Sequence, residues 1–115
     1  MAHDCLFCRI AHREVPATIV AENERCLAFR DIDPRAPVHV LVIPKDHVES
    51  LDTARAQDAE LLGALQLLAA EVARSEGVAR SGYRTVVNTN ADAGQSVPHV
   101  HVHLLGGRPL AWPPG

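Results

Sequence analysis

The sequence predicts an α+β fold, a five-stranded antiparallel sheet with one long and one short helix. Three observations carry this reading. Residues 54–76 repeat leucine, alanine and valine at the spacing of a helix face. The remaining apolar residues fall into short runs bounded by polar or proline-containing turns, the pattern of strands. Residues 99–104 alternate histidine with an apolar residue, the period of a strand with two unlike faces.

Taken in order, residues 5–13 read as a short helix with Asp4 as its N-cap. It ends before Pro16, because proline disfavours helical geometry in the residue ahead of it. Residues 18–21 and 26–31 read as two strands joined by the polar turn Glu22-Asn23-Glu24-Arg25. Asp33-Pro34-Arg35-Ala36-Pro37 is a stiff loop, and a third strand, residues 38–43, stops at Pro44. In that strand Val38, Val40 and Val42 share one face, and His39, Leu41 and Ile43 share the other. The long helix buries Leu61, Leu62, Leu65, Leu68, Ala69 and Val72 and stops at Gly77. Leu67 lies off that stripe, which suits either a dimer partner or a wide core contact. Residues 83–88 form a fourth strand, 90–94 a small-residue loop and 100–105 a fifth strand, with the helices expected on one side of the sheet.

Composition narrows the function. At 115 residues the chain suits one core and not two, so residues 1–115 are read as a single domain. A net charge of −3 offers no basic footprint for nucleic-acid polymers, and no segment has the length of a membrane span. Met1-Ala2-His3-Asp4 lacks the regions of a signal peptide, giving a cytoplasmic expectation. The three cysteines do not suggest a disulfide framework. Cys26 sits in an apolar run as a small hydrophobe, whereas Cys5 and Cys8 have the C-x-x-C spacing of half a zinc site.

The chemistry concentrates in Gly94-Gln95-Ser96-Val97-Pro98-His99-Val100-His101-Val102-His103-Leu104. In a strand, His99, His101 and His103 project from the face expected to be solvated, about 6.6 Å apart. Three of the seven histidines at strict alternation is an improbable accident. Alternate strand histidines can ligate a metal, or a neutral imidazole can act as nucleophile at phosphorus with its neighbours handling protons. Gly94, Gln95 and Ser96 suit a turn that cradles phosphate oxygens, which favours phosphoryl or nucleotidyl chemistry. The middle ring, His101, is the candidate nucleophile. Attack through Nε2 requires its Nδ1–H to be fixed by an acceptor, such as a main-chain carbonyl.

Gly-Gln-Ser-x-x-His-Val-His-Val-His-Leu-Leu-Gly-Gly-Arg resembles the signature of the histidine-triad (HIT) family, and its ending is similar to the Hint branch of nucleoside phosphoramidases. Asp4-Cys5-Leu6-Phe7-Cys8-Arg9-Ile10, Cys26 to Ile32, Ala36 to Lys45 and the closing Trp112-Pro113-Pro114-Gly115 fit that branch in order. The resemblance implies the five-stranded fold, a two-fold dimer whose sheets join, and cleavage of purine nucleoside phosphoramidates of the AMP-amine type through a nucleotidyl-histidine on His101. It implies that His103 and Asn88 bind phosphate oxygens, that Ser96 assists the departing amine and that His39 supports the reactive rings. Gln95 and the Val97 N–H would line the phosphate end. Asp31 would hold the ribose hydroxyls, and the base would lie against Phe7, Ile10, Phe29, Ile32 and Leu41.

Two departures from other members bear on the site. Pro98 stands where an aromatic residue is frequent, a position at which the first residue of a strand tolerates proline. Cys5 and Cys8 match relatives that pair them with two histidines, here His47 and His99, in a structural Zn2+ site. A zinc-bound His99 could not also shuttle protons. Rival readings are a dinucleoside polyphosphate hydrolase, a non-catalytic nucleotide sensor or partner-binding dimer, and a metal hydrolase with zinc on the three motif histidines.

Overall fold

Strand composition decides where the helices pack. A computed structural model describes residues 5–115: α1 (Leu6–Ala11), β1 (Ile19–Glu22), β2 (Cys26–Arg30), β3 (Val38–Pro44), a 3-10 turn (Ala56–Asp58), α2 (Ala59–Ser75), β4 (Tyr83–Val86), α3 (Asn90–Ala93) and β5 (Val102–Gly106). The strands form one antiparallel sheet in the order β1-β2-β3-β5-β4. Cys26 to Phe29 and Val40 to Ile43 are buried at every position, the pattern of strands covered on both faces. Ala28, Val40, Val42, Val102 and Leu104 pack against Leu61, Leu65, Leu68 and Val72 of α2. Leu27, Phe29, Leu41 and Ile43 face the other way and are covered by Phe7, Cys8 and Ile10 of α1. The helices therefore lie on both sides of the sheet, not on one. Leu67 is 71% exposed, so it makes no wide core contact within the chain.

Boundaries differ from the sequence reading where local hydrogen bonds take over. Asp4 lies outside the described residues, and the N-cap of α1 is Cys5, whose Sγ accepts the Cys8 N–H at 3.4 Å. The long helix starts at Ala59 rather than 54. Ahead of it the Asp58 carboxylate accepts the Arg55 N–H at 2.9 Å and closes a separate 3-10 turn. Residues 90–94 are not a plain loop: Asn90–Ala93 makes one helical turn, ended by Gly94 at φ 83°. β4 stops at Val86, leaving Asn88 beyond the ladder.

The consequential shift is in the motif. β5 begins at Val102, so His99 and His101 precede the ladder. Their segment is held instead by loop bonds: the His99 N–H donates to the Val97 carbonyl at 2.8 Å and the Val100 N–H to the Val48 carbonyl at 2.6 Å. Pro98 lies in the bend before them, ahead of the strand and not at its first residue. Val100, Val102 and Leu104 still point into the α2 core.

Candidate active site

The histidine face is not solvated. His99 has no exposed surface and His101 keeps 4%, because α1 lies over them. The Phe7 ring meets His101 edge-on at 5.1 Å between centroids and His99 at 6.0 Å. His103 opposes Leu41 across the β3–β5 ladder, and His39 opposes Leu105. His39 and His103 are thus diagonal neighbours on one face, the placement that lets long or aromatic side chains touch. Their centroids are 5.2 Å apart, and those of His101 and His103 5.0 Å.

Hydrogen bonds fix the proton on each ring, since a carbonyl can only accept and a backbone N–H can only donate. His101 Nδ1 lies 2.8 Å from the His99 carbonyl, so it carries the proton and Nε2 keeps a free lone pair. The Arg35 N–H donates to His39 Nδ1 at 3.0 Å, which leaves the His39 proton on Nε2. That Nε2–H has two acceptors nearby, His103 Nδ1 at 2.9 Å and Asp31 Oδ2 at 3.4 Å. The nearer is His103, whose own proton then resides on Nε2, the nitrogen turned away from His39. Burial holds the pKa values of His39 and His101 below the ordinary imidazole value. His103 is pushed down to about 4 by burial, then by the charges that His101 and His39 would carry. All three rings are neutral at pH 7: one offers a lone pair, its neighbour an N–H.

His101 and His103 line a cleft of about 250 Å³ with Phe7, Ile10, Phe29, Asp31, Ile32, Leu41, Ser96 and Val97, joined by Leu6 and Arg30. The Arg30 guanidinium is bound to Glu76 at 2.8 and 3.1 Å. Ile32, fully exposed, stands at the rim. Asp31 has one oxygen turned to His39, while the other accepts the Asp33 N–H at 2.8 Å. A larger hollow of about 470 Å³ at Gly77, Val78, Ser81, Gly82, Gly107, Arg108 and Pro109 contains no imidazole, thiol or carboxylate.

Among the described residues, two groups bring together three or more metal-ligating side chains, and proton placement separates them. Cys5, Cys8, His47 and His99 direct their Sγ and Nδ1 atoms at one point, all within 4.8 Å of one another. The His99 Nε2–H donates to the Pro44 carbonyl at 2.9 Å, which leaves its Nδ1 lone pair facing the group. This group could hold a metal ion. Asp31, His39 and His103 form the second cluster. There a cation on His39 Nε2 would have to displace the proton while Nδ1 still accepts from Arg35, leaving an imidazolate. That cluster is a hydrogen-bonded relay, not a metal site.

Residues 12–110 match the HIT domain family. The chain belongs to that family. It is 54% identical, over all 115 residues of both chains, to a HIT-like protein of Synechococcus elongatus. Among solved structures it resembles a HIT family hydrolase from Legionella pneumophila, with TM-score 0.95 and 50% identity over 97% of this chain and 100% of that one. A histidine triad protein from Clostridium difficile gives TM-score 0.92 at 38% identity, covering 95% of each chain.

In this HIT protein the expected site residues separate into three places. His101, His103, Ser96, Val97, Asp31 and the five apolar residues named for the base meet in the cleft. His39 stands behind them as support for His103. The His99 ring does not line the cleft: its two nitrogens serve Pro44 and the cysteine group, and only its carbonyl reaches His101. Nor do Asn88 and Gln95 line it. Gln95 Nε2 donates to the Glu49 and Val97 carbonyls at 2.9 and 3.1 Å, and its Oε1 accepts the Asn90 N–H at 3.0 Å, so it straps the loop. The main-chain carbonyl expected to fix the His101 Nδ1–H is that of His99; the missed contributor is the Arg35 N–H on His39, which side-chain patterns do not encode.

The His103 shift has a pH consequence. Unfolded imidazole titrates near 6.5 and native His103 near 4, so between these values the unfolded chain binds more protons. Stability is therefore full above about pH 6.5 and falls as pH drops towards 4. The urea midpoint is expected to be lower at pH 5 than at pH 7.5, with a smaller difference in His103→Gln. Equal midpoints for the unmodified protein would contradict this proton placement.

Proposed function

We propose that this HIT protein is a hydrolase of purine nucleoside phosphoramidates acting through a nucleotidyl intermediate on His101. The observation that carries the reading is the neutral His101 ring, its Nδ1–H held by the His99 carbonyl and its free Nε2 in a cleft with an apolar wall and a carboxylate. Nε2 attacks the α-phosphorus, the P–N bond breaks, and the amine leaves with a proton supplied through Ser96 or solvent. Water then cleaves the P–Nε2 bond, releasing the nucleoside monophosphate and the free imidazole. His103 Nε2–H donates to a phosphate oxygen whose charge grows in the transition state. Asp31 accepts the ribose hydroxyls, and Phe7, Ile10, Phe29, Ile32 and Leu41 exclude water around the base.

His101→Ala is expected to lower turnover of an adenosine phosphoramidate by roughly a thousandfold or more, while AMP still binds. Wild-type-like turnover would end the assignment. Faster release of AMP from a dinucleoside polyphosphate than from the phosphoramidate would move the substrate class, and binding without any product would make the protein a sensor.

We also infer that Zn2+ occupies the Cys5, Cys8, His47 and His99 group. Tetrahedral zinc has ligand–ligand edges of about 3.4 Å between two nitrogens, about 3.6 Å between nitrogen and sulfur and about 3.8 Å between two sulfurs. Here Cys5 Sγ and Cys8 Sγ lie 3.3 and 3.4 Å from His99 Nδ1, and His47 Nδ1 lies 3.2 Å from both Cys8 Sγ and His99 Nδ1. Burial, with Cys5 beside it, pushes the Cys8 thiol up to about 11, so that thiol holds its proton unless a cation replaces it. Zinc there supplies a cross-link and no reaction chemistry. Elemental analysis of the purified protein is expected to give one zinc per chain, lost in Cys8→Ser together with a drop in melting temperature. A metal-free wild type that melts at the same temperature with added zinc would refute the site.

We further infer a two-fold dimer through the free edge of β4 and the neighbouring face of α2. The support is the absence of any strand beyond Tyr83–Val86 among the described residues, beside exposed Leu67 and an apolar hollow lined by Leu51, Leu62 and Val87. Light scattering is expected to give twice the 12.4 kDa chain mass. A monomer mass at micromolar concentration would exclude it.

A further inference from the structure

The Gly107-Arg108 pair that closes the motif lines no part of the cleft, yet both residues bear on the loop that organises it. Arg108 Nη2 donates to the Arg35 carbonyl at 2.8 Å, and Nη1 to the Pro109 carbonyl at 3.0 Å. Gly107 has φ +92°, and a Cβ built on it would stand 2.9 Å from the Pro37 Cβ, so the strand end and the loop approach as only glycine permits. Both contacts fall on the stiff segment that carries the Arg35 N–H to His39 Nδ1. That segment is otherwise exposed, tied by the Asp33 N–H on Asp31 Oδ1 at 2.8 Å and a solvent-facing Arg35–Asp33 ion pair at 2.9 Å. Exposed ion pairs hold a loop weakly.

We propose that Arg108 is a positioning residue for the reaction: by holding the Arg35 carbonyl it keeps the Arg35 N–H on His39, and His39 thereby sets which nitrogen of His103 carries the proton. The catalytic consequence rests on the reading above in which His103 donates to the substrate phosphate. Without the tether, His39 is free to carry its proton on Nδ1. His39 Nε2 then becomes an acceptor, His103 turns its proton towards it, and the His103 nitrogen in the cleft becomes a lone pair facing an anion. The guanidinium acts through three hydrogen bonds to reach His103 and touches none of the reacting atoms.

The test is long-range proton–nitrogen correlation spectroscopy on nitrogen-15 protein, which reports the protonated nitrogen of each neutral ring, paired with steady-state kinetics. In Arg108→Met, His39 and His103 are expected to pass from single tautomers to mixtures, with the melting temperature unchanged. In the same variant kcat should fall about fivefold, the scale of one lost hydrogen bond, with KM within about twofold. Arg108→Lys, which keeps one donor, should recover most of both signals. Gly107→Ala disturbs the same loop through Pro37 and should mix the same two tautomers. Arg55→Met serves as control, since Arg55 is another exposed arginine donating to carbonyls, those of Asp52 and Ala54 and none in the loop. Unchanged tautomers in both Arg108→Met and Gly107→Ala would overturn the proposal, as would a kcat loss that Arg108→Lys does not recover. Should the unmodified protein turn over no phosphoramidate, the enzymatic reading fails, and the spectra still decide whether Arg108 sets the His103 proton.

Discussion

His99 is the constraint on which the rest of the site depends. Its side chain is wholly buried, and an imidazole there must satisfy both nitrogens or lose a large part of its desolvation cost uncompensated. Nε2–H is spent on the Pro44 carbonyl at the end of β3, and Nδ1 faces two thiols and His47. The residue's own carbonyl, meanwhile, accepts the His101 Nδ1–H at 2.8 Å. The first histidine of the motif thus acts through its main chain. Its ring belongs to the cluster that α1, the segment after β3 and the motif bring together, a group that could hold a metal ion.

The sheet supplies the second half of the arrangement. β2 and β3 are apolar at consecutive positions, so each face needs a cover. The long amphipathic α2 covers one face. The other is left to α1, six residues long, and such a helix has no stability of its own in water. It persists by packing Phe7, Cys8 and Ile10 onto Leu27, Phe29, Leu41 and Ile43. The same packing brings Phe7 edge-on to His101 and forms one wall of the cleft. Core and site therefore share side chains, and the residues suggested for the base are core and pocket at once.

Much of this was legible in the sequence because it rests on periodicity. The faces of β3 follow from alternation at Val38 to Ile43, and the buried stripe of α2 from Leu61, Leu65, Leu68 and Val72. The C-x-x-C spacing of Cys5 and Cys8 reads as half a metal site, whereas His47 and His99 join them only through family resemblance, since their separations along the chain carry no geometric signal. Alternation misled at the motif itself. His99 and His101 alternate with valines as a strand would, yet the His99 and Val100 N–H groups are held by loop segments, and the ladder starts at Val102. Gln95 was read as a phosphate ligand from its residue type. Its amide is consumed by three main-chain groups, a fate that depends on where residue 49 and residue 90 fold.

The protonation pattern also governs how a product would leave. His101 and His103 are neutral near pH 7, and the one arginine on the cleft wall has its guanidinium bound to Glu76. Full positive charge is thus withheld from the place where a phosphate would rest. An anion held there meets N–H donors and no fixed counter-charge, which leaves ionic strength little leverage on its binding. A monophosphate released in such a cradle faces no strong electrostatic trap, so turnover need not stall on departure.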